Sequence, residues 1–347
     1  MRAVVIHSHG GPEVLTLEQV ADPTPMAGEA LVRVEAVSVN AFLDVSNRAG
    51  HVPFARYEFP HILGSEHAGT LVALGPDTAS DLGPGDPVIV SNGVPCGSCE
   101  FCAAGNTESC VRLGIIGVTM RGAYAEYSVV PGSNVRRRPD GCSALEAAAM
   151  GVNGPLALAQ LIEARAEEGS WVLVQAGASS SGTMACVVAQ RLGCKVIATT
   201  RSADKNRALH DLGIVDHTVD STSADALDQI MGITSGRGVD IVIDNIADRD
   251  LWKLSMESLA NRGRVITSGA KFGGIVEINV RDLYTKSRQV LGLRSASRAV
   301  IDQFWSMVAT ERMTPVIDSI YPLADAAEAH RRVESNANIG RVMLTID

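Results

Sequence analysis

From Trp171 onward, short and continuously apolar runs alternate with amphipathic stretches: WVLVQAG, TMACVVAQRLG, KVIATT, ADKNRALHDLG, DIVIDNI, LWKLSMESLA and GRVITSGA. A strand that is apolar on both faces must be covered on both, and helical crossovers between such strands supply the cover. The alternation predicts a parallel sheet layered by helices, an α/β unit. Residues 1–150 read differently. Val-rich runs (AVVIH, ALVRVEAVSV, AGTLVALG, DPVIVS, AYAEYSVV) are separated by Gly and Pro, as in GPGD at 83–86. That pattern predicts an antiparallel, barrel-like β domain. The character changes near Ser143, where SALEAAAMGVNGPLALAQLIEARA predicts a helix, a Gly-Pro break and a second helix. After QVLGLRS at 289–295 come a long helix (AVIDQFWSMVATERM), a short strand, the helix ADAAEAHRRVES and a last strand, GRVMLTID, expected to return to the first domain. The expected division is 1–150, 151–293 and 294–347.

A chain of 347 residues, 46% of them hydrophobic, is long enough for two domains and can bury a sizeable core. Its net charge of −9 argues against nucleic acid as a partner. The basic run Arg136–Arg138 reads as a solvated strand end. No stretch approaches the roughly 18 apolar residues of a spanning helix, so no membrane partner is expected. The N-terminal MRAVVIHSHGGPEVL reads as a strand and a Gly-Pro turn rather than a signal peptide. A cytoplasmic, reducing setting is expected, with Cys142, Cys186 and Cys194 as scattered small residues.

The other four cysteines, Cys96, Cys99, Cys102 and Cys110, sit together in PCGSCEFCAAGNTESC, within a lobe at about 94–112. Two-residue spacing between thiolates suits a closed tetrahedral Zn²⁺ site, one that holds a loop and leaves no position open for substrate. A pair of disulfides is the alternative. The expected metal content is one structural zinc per chain.

The strand at 171–176 runs into Gly177-Ala178-Ser179-Ser180-Ser181-Gly182 and then a helix. This is G-x-S-x-x-G, a variant of the dinucleotide fingerprint. Gly177 is expected to take the tight turn and Gly182 to let the helix pack on the strand, with the helix N-terminus offered to a pyrophosphate. Ser179 replaces the middle glycine, and its hydroxyl is expected to add a donor. At the end of the next strand, NAD sites place a carboxylate for the ribose 2′-OH. Here the order is Thr200-Arg201, with Lys205 one helical turn on. Arg grips a 2′-phosphate with a bidentate fork, so the preference is NADPH. Asp204 is expected to cap the helix rather than touch ribose.

These features together resemble the medium-chain dehydrogenase/reductase superfamily, on FPHILGSEHAGTLVALGP at 59–76, the GDPV turn at 85–88, the four-cysteine lobe and the turn at 177–182. The resemblance spans essentially the whole chain. It implies a GroES-like β-barrel catalytic domain and a Rossmann doubly wound parallel sheet, the C-terminal segment completing the former. It also implies a structural role for zinc on the four cysteines, and it extends the cofactor set to Asn153, Gly154, Asn245, Ser268, Gly269, Leu293 and Arg294. A homodimer or homotetramer is implied, through strand addition along the 274–294 edge.

The catalytic zinc ligands of zinc-dependent members are not matched. The first position holds Asn40 or, on the other count, Ala41; the second holds Ser65 in Gly64-Ser65-Glu66; the third region, Met150–Asn153, has neither Cys nor carboxylate. His61 and His67 lie nearby without a third ligand. Without a Lewis acid, reduction of a C=C bond conjugated to a carbonyl is easier than alcohol oxidation, because hydrogen bonds can hold the developing enolate. The expected activity is NADPH-dependent reduction of an enone, quinone or enoyl thioester as small-molecule substrate. Asn40 and Tyr57 are the catalytic candidates, and Asp44, Ser65, Glu66 and His67 the candidate lining of the vacated metal pocket. An alcohol dehydrogenase or ketoreductase, and a non-catalytic NADPH-binding protein, are the alternatives.

Overall fold

The computed structural model describes every residue except Phe272 and Asp347. The chain forms two compact units, residues 1–152 with 305–347, and residues 153–304. The second boundary falls at 304/305, inside the helix Arg298–Thr310, rather than at the expected 293/294. The reason is that the first half of this helix, with Phe304, packs within the second unit: a side chain on Gly154 would sit 2.1 Å from the Phe304 ring.

The first unit is built on a seven-stranded sheet. Its path runs Val135–Arg137, Pro87–Val90, Glu66–Leu74, Glu29–Val39, Arg341–Thr345, Ile317–Pro322. The strand Glu29–Val39 organises it. Its first half pairs with Tyr127–Pro131, its last residues with Arg341–Thr345, and its other edge with Glu66–Leu74, all antiparallel. The last strand of the chain thus returns to the first domain, as its position after a helix suggested. Alternation drives this strand: Ala30, Val32 and Val34 are buried, while Arg33 between them is exposed. A three-stranded sheet of Thr16–Gln19, Arg2–Ile6 and His61–Ile62 accompanies it.

In the helical stretch after Ser143, the helices are Ala144–Met150 and Asn153–Glu163. Gly154-Pro155 does not form the break; it lies in the first turn of the second helix, where proline's missing N–H has no intrahelical partner to lose. A capping box between Ser143 and Glu146 starts the first helix.

The second unit carries a six-stranded, wholly parallel sheet. Its order is His217–Asp220, Lys195–Thr200, Trp171–Val174, Val239–Ile243, Leu259–Thr267, Gln289–Gly292. Counted within the unit this is 3-2-1-4-5-6, so the strand order reverses beside Trp171–Val174, the place where such sheets leave a crevice for ligand. Leu173, Ile197, Val219, Ile230, Val242 and Trp252 form its core. Among the described residues no single helix is long and apolar enough to cross a membrane.

Candidate functional site

The thiols of Cys96, Cys99, Cys102 and Cys110 all lie within 4.8 Å of one another. Individual Sγ–Sγ separations are 3.5 Å for 99–102, 3.9 Å for 99–110 and 4.0 Å for 96–102. Four Zn–S bonds of about 2.3 Å at tetrahedral angles require separations of about 3.8 Å, so the donor set fits zinc. No disulfide joins them. Local structure gathers the ligands: Cys99 precedes the short helix Glu100–Ala103, which carries Cys102, and Cys110 closes the turn Thr107–Ser109. The backbone N–H of Ser98 leads the interactions that draw the Cys96 thiol down to about 5, toward the thiolate a metal takes.

In the second unit, the turn after Trp171–Val174 is tight for reasons of space. A Cβ on Gly177 would lie 2.5 Å from the Cβ of Ala198 on the neighbouring strand, and one on Gly182 would lie 2.4 Å from the carbonyl oxygen of Ala176. The left-handed residue of the turn is Ala176, at φ 51°. Ser179 is the N-cap of the helix Ser180–Arg191; its Oγ accepts from the Gly182 N–H at 3.0 Å. Accepting this bond still leaves the O–H as a donor, and the helix N-terminus at Ser180 and Ser181 adds its own attraction for an anion.

Thr200 ends the next strand. Its hydroxyl donates toward the Ser202 carbonyl (2.9 Å) and Asn206 Oδ1 (2.8 Å) and accepts from the Ser202 N–H (3.1 Å), so it latches the following turn. Ser202, not Asp204, caps the helix Ala203–Asp211, accepting from the Lys205 N–H. Asp204 instead pairs with Arg207 at 3.5 Å, outward on the surface. That leaves Arg201 exposed, with no hydrogen bond or ion pair among the described residues, and Lys205 half-buried one turn on.

Asn245 holds two elements together. Its Oδ1 accepts from Gln160 Nε2 (2.9 Å) and from the Ser268 N–H (2.7 Å). Ser268 Oγ, at the end of the strand Leu259–Thr267, is buried with no partner among the described residues. An orphaned hydroxyl at the ligand-binding end of a parallel sheet, beside a glycine-tight helix start, fits a dinucleotide. Gly269 follows it, and Leu293 donates its N–H to Thr267 O beyond the neighbouring strand, with Arg294 next. Asn153 is buried at the start of its helix. Gly154 is there because Phe304 fills the space of a side chain.

In the first unit, Asn40 ends the strand Glu29–Val39 and caps the helical turn Ala41–Ser46. Its Oδ1 accepts from the N–H groups of Phe42 (2.9 Å) and Leu43 (3.0 Å), and its Nδ2 donates to Glu66 Oε1 at 2.6 Å. Asp44 is fully buried, accepting from the Asn40 N–H (2.7 Å) and the Gly64 N–H (3.1 Å). Burial pushes its carboxyl up to about 7. Glu66 is held by Arg341 through two bonds, and Arg341 Nε donates to the Ala149 carbonyl. Ser65 and His67 are also fully buried, and neither the Ser65 hydroxyl nor either His67 ring nitrogen has a partner among the described residues. Burial lowers the His67 pKa to about 3, so the ring is neutral. Asp44, Ser65, Glu66 and His67, the candidate lining of the vacated metal pocket, have no solvent-exposed surface. Tyr57 is half-buried. Its ring stacks on His61 at 3.7 Å, its hydroxyl donates to Asn47 Oδ1 at 3.2 Å, and burial raises its pKa to about 12.

Sequence reasoning missed Arg341. The signal was present: a buried glutamate on a strand demands a cation, and Arg341 is the one charge that interrupts the apolar run of the final strand before Asp347. It also missed Asp244, buried between Ser255 Oγ (2.8 Å) and the N–H groups of Ile246 and Ala247, which shapes the loop beside the sheet's ligand-binding end.

The parallel 3-2-1-4-5-6 sheet and its glycine-tight turn define a protein of the dinucleotide-binding α/β class. Comparison with known proteins narrows this. Residues 26–140 match the family described as alcohol dehydrogenase GroES-like domain, and residues 182–310 the zinc-binding dehydrogenase family. The chain is 29% identical to a quinone oxidoreductase of Homo sapiens and 30% identical to one of Lama guanicoe, in each case over 100% of this chain and 98% of the relative. A crystal structure of an NAD-dependent alcohol dehydrogenase superposes with a TM-score of 0.92 at 34% identity, covering 100% of both chains. The chain belongs to the medium-chain dehydrogenase/reductase superfamily and is an oxidoreductase of that group.

Proposed function

We propose that the protein reduces a C=C bond conjugated to a carbonyl, in an enone, quinone or enoyl thioester, with NADPH and without a catalytic zinc. The observation that carries this is the state of the residues at the metal positions. Asn40 spends both ends of its amide, on the turn and on Glu66, and Glu66 is neutralised by Arg341. Ser65 offers only a buried hydroxyl. Such a set suits a fixed polar scaffold better than a metal pocket. It agrees with the resemblance to relatives named quinone oxidoreductase.

NADPH, when bound, supplies the hydride. The β carbon of an enone or enoyl thioester would take that hydride and its α carbon a proton, giving the saturated carbonyl compound, whereas a quinone would take hydride and proton to give the hydroquinone. The chain's part is to hold the developing oxyanion. Tyr57 stays protonated through the neutral range and has a hydroxyl to offer, shared at present with Asn47. Asn40 acts as a positioning residue, since its amide fixes the turn Ala41–Ser46 against Glu66. Ser268, Arg201, Lys205 and the turn at 177–182 hold the cofactor. Zinc on the four cysteines serves only the loop that carries them. The absence of a disulfide among the described cysteines suits a reducing compartment. Self-association uses the edge strand Gln289–Gly292 and the exposed Ile275, Val280 and Tyr284 near it.

A second reading, an NAD-dependent dehydrogenase of an alcohol, is favoured by the 34% identical alcohol dehydrogenase structure. Steady-state oxidation of NADPH and NADH against panels of enones, quinones, enoyl thioesters, aldehydes and ketones separates the two. The proposal expects turnover with NADPH on the unsaturated compounds. Faster turnover of simple carbonyls overturns it, and tight NADPH binding with no turnover on any panel shows a binding protein instead.

A further inference from the structure

Resting on the oxyanion role given to Tyr57 above, we propose that Asn47 and His61 are positioning residues that set the ring and the hydroxyl proton of Tyr57, with the Gly117 carbonyl as their common anchor. Asn47 follows the turn Ala41–Ser46 and is fully buried. Its Nδ2 donates to Gly117 O at 3.0 Å, and its Oδ1 faces the Tyr57 hydroxyl at 3.2 Å. His61 begins the strand His61–Ile62 and is buried as well. Its Nε2 lies 3.1 Å from the same carbonyl oxygen, and its ring lies on that of Tyr57 with centroids 3.7 Å apart and planes 9° from parallel. One acceptor thus fixes two side chains, and these two hold Tyr57 by its hydroxyl and by its face. Phe59 and His9 stand edge-on to it, at 5.6 and 6.0 Å, and complete the packing round its ring.

The chemistry of the partners decides which of them donates. A carbonyl oxygen only accepts, so His61 carries its proton on Nε2 and Asn47 turns its amide nitrogen to Gly117. The amide oxygen left for Tyr57 also only accepts, so the hydroxyl is the donor. Gly117 is itself held: its N–H donates to Met120 O at 3.0 Å, and a side chain on it would lie 2.9 Å from the backbone carbonyl carbon of Gly64. Burial keeps His61 neutral, its pKa lowered to about 4, so the ring stacked on Tyr57 brings no positive charge that would draw the phenol toward phenolate. At 3.2 Å the bond to Asn47 is long for an O–H donor, whose usual separation is about 2.7–2.8 Å. A substrate oxyanion attracts that proton more strongly than a neutral amide does. The hydroxyl therefore rests on Asn47 in a set direction and turns about its C–O bond to the charge as the hydride arrives.

The experiment is steady-state NADPH oxidation by the full-length protein on cyclohexenone, a naphthoquinone and a crotonyl thioester. The proteins are wild type, Tyr57→Phe, Asn47→Ala, His61→Ala and His61→Phe, with the last three also combined with Tyr57→Phe. Tyr57→Phe, Asn47→Ala and His61→Ala should each lower kcat roughly ten- to a hundredfold and leave the KM for NADPH unchanged. His61→Phe, which keeps a ring against Tyr57, should recover part of the His61→Ala loss. In the Tyr57→Phe background the Asn47 and His61 changes should lower kcat no further, because they act through the hydroxyl already removed. Losses that persist in full in that background overturn the positioning role and show general damage to the fold. Full kcat in Tyr57→Phe overturns it too, and leaves the C=C reading standing. No wild-type turnover on any of the three acceptors overturns that reading itself, and the role of Tyr57 with it. Where Asn47→Ala does not fold, His61→Ala and His61→Phe in both backgrounds decide by themselves.

Discussion

Arg341 closes a fork on Glu66. Nη1 lies 3.0 Å from Oε1 and Nη2 lies 2.5 Å from Oε2, with the two side chains 2% and 0% exposed. The partners stand 275 positions apart, so the pair ties the last strand of the chain to the strand Glu66–Leu74 across Glu29–Val39. Removing one partner strands a charge in the interior. Arg341→Met and Glu66→Gln should each destabilise the fold, the former by about 3–5 kcal/mol, while the two together should lose much less than the sum. Denaturation midpoints of the four proteins give the coupling; additive losses would show that the fork contributes no interaction of its own.

Asp44 makes stability depend on pH with a defined sign. Its carboxyl titrates near 7 in the folded protein and near its ordinary value when unfolded, because burial outweighs its two backbone bonds and the charge of Arg341, with Glu66 raising it further. The folded state thus binds the proton more tightly. The stabilisation is complete below about pH 4 and is lost as pH rises through 7, by roughly 4 kcal/mol at the full shift. The stability difference between wild type and Asp44→Asn, followed from pH 4 to pH 8, should fall along that window. A flat difference refutes the assignment.

Gly177 and Gly182 are required by different neighbours, and the difference is measurable. Gly177→Ala meets the Cβ of Ala198, so Ala198→Gly should rescue it in part, less about 1 kcal/mol for a glycine within a strand. Gly182→Ala meets the backbone of Ala176 and Gly177, which no side-chain change can move. Thermal melts of the two singles and of Gly177→Ala with Ala198→Gly check this. Rescue of neither or loss of nothing would mean that the turn yields more easily than its contacts imply.

The cysteine cluster should bring one zinc per chain. Cys102→Ser should abolish the metal and make residues 93–115 more open to proteolysis, because the metal would join four points of the excursion between the paired strands Gly93–Val94 and Gly114–Ile115. Elemental analysis and limited digestion read both effects. Two zinc ions per wild-type chain would contradict the zinc-free reaction proposed above.

Much of the architecture was visible in short-range pattern. The doubly apolar runs from Trp171 announced the parallel sheet, and the alternation in ALVRVEAVSV announced a half-buried antiparallel strand. The four cysteines were readable because zinc demands one donor type at close spacing. The details of the two sites were less so. Gly177 was readable as the tight point of its turn, but the left-handed conformation of Ala176 and the contact with Ala198 that excludes a side chain at Gly177 were not. Ser179 was readable as a small residue with a hydroxyl, but that its oxygen also caps its own helix through the Gly182 N–H was not.

What the amino-acid order determined alone is local: the period of each strand and helix, the cysteine spacing and the small residues of the turn at 177–182. Only the tertiary structure decided that Asp44 and Glu66 are buried and that Arg341 answers Glu66. The physical reason is that charge pairing and burial join residues through space. A Coulomb partner 275 positions away leaves no periodic mark on the chain, whereas backbone hydrogen bonding repeats every few residues and does.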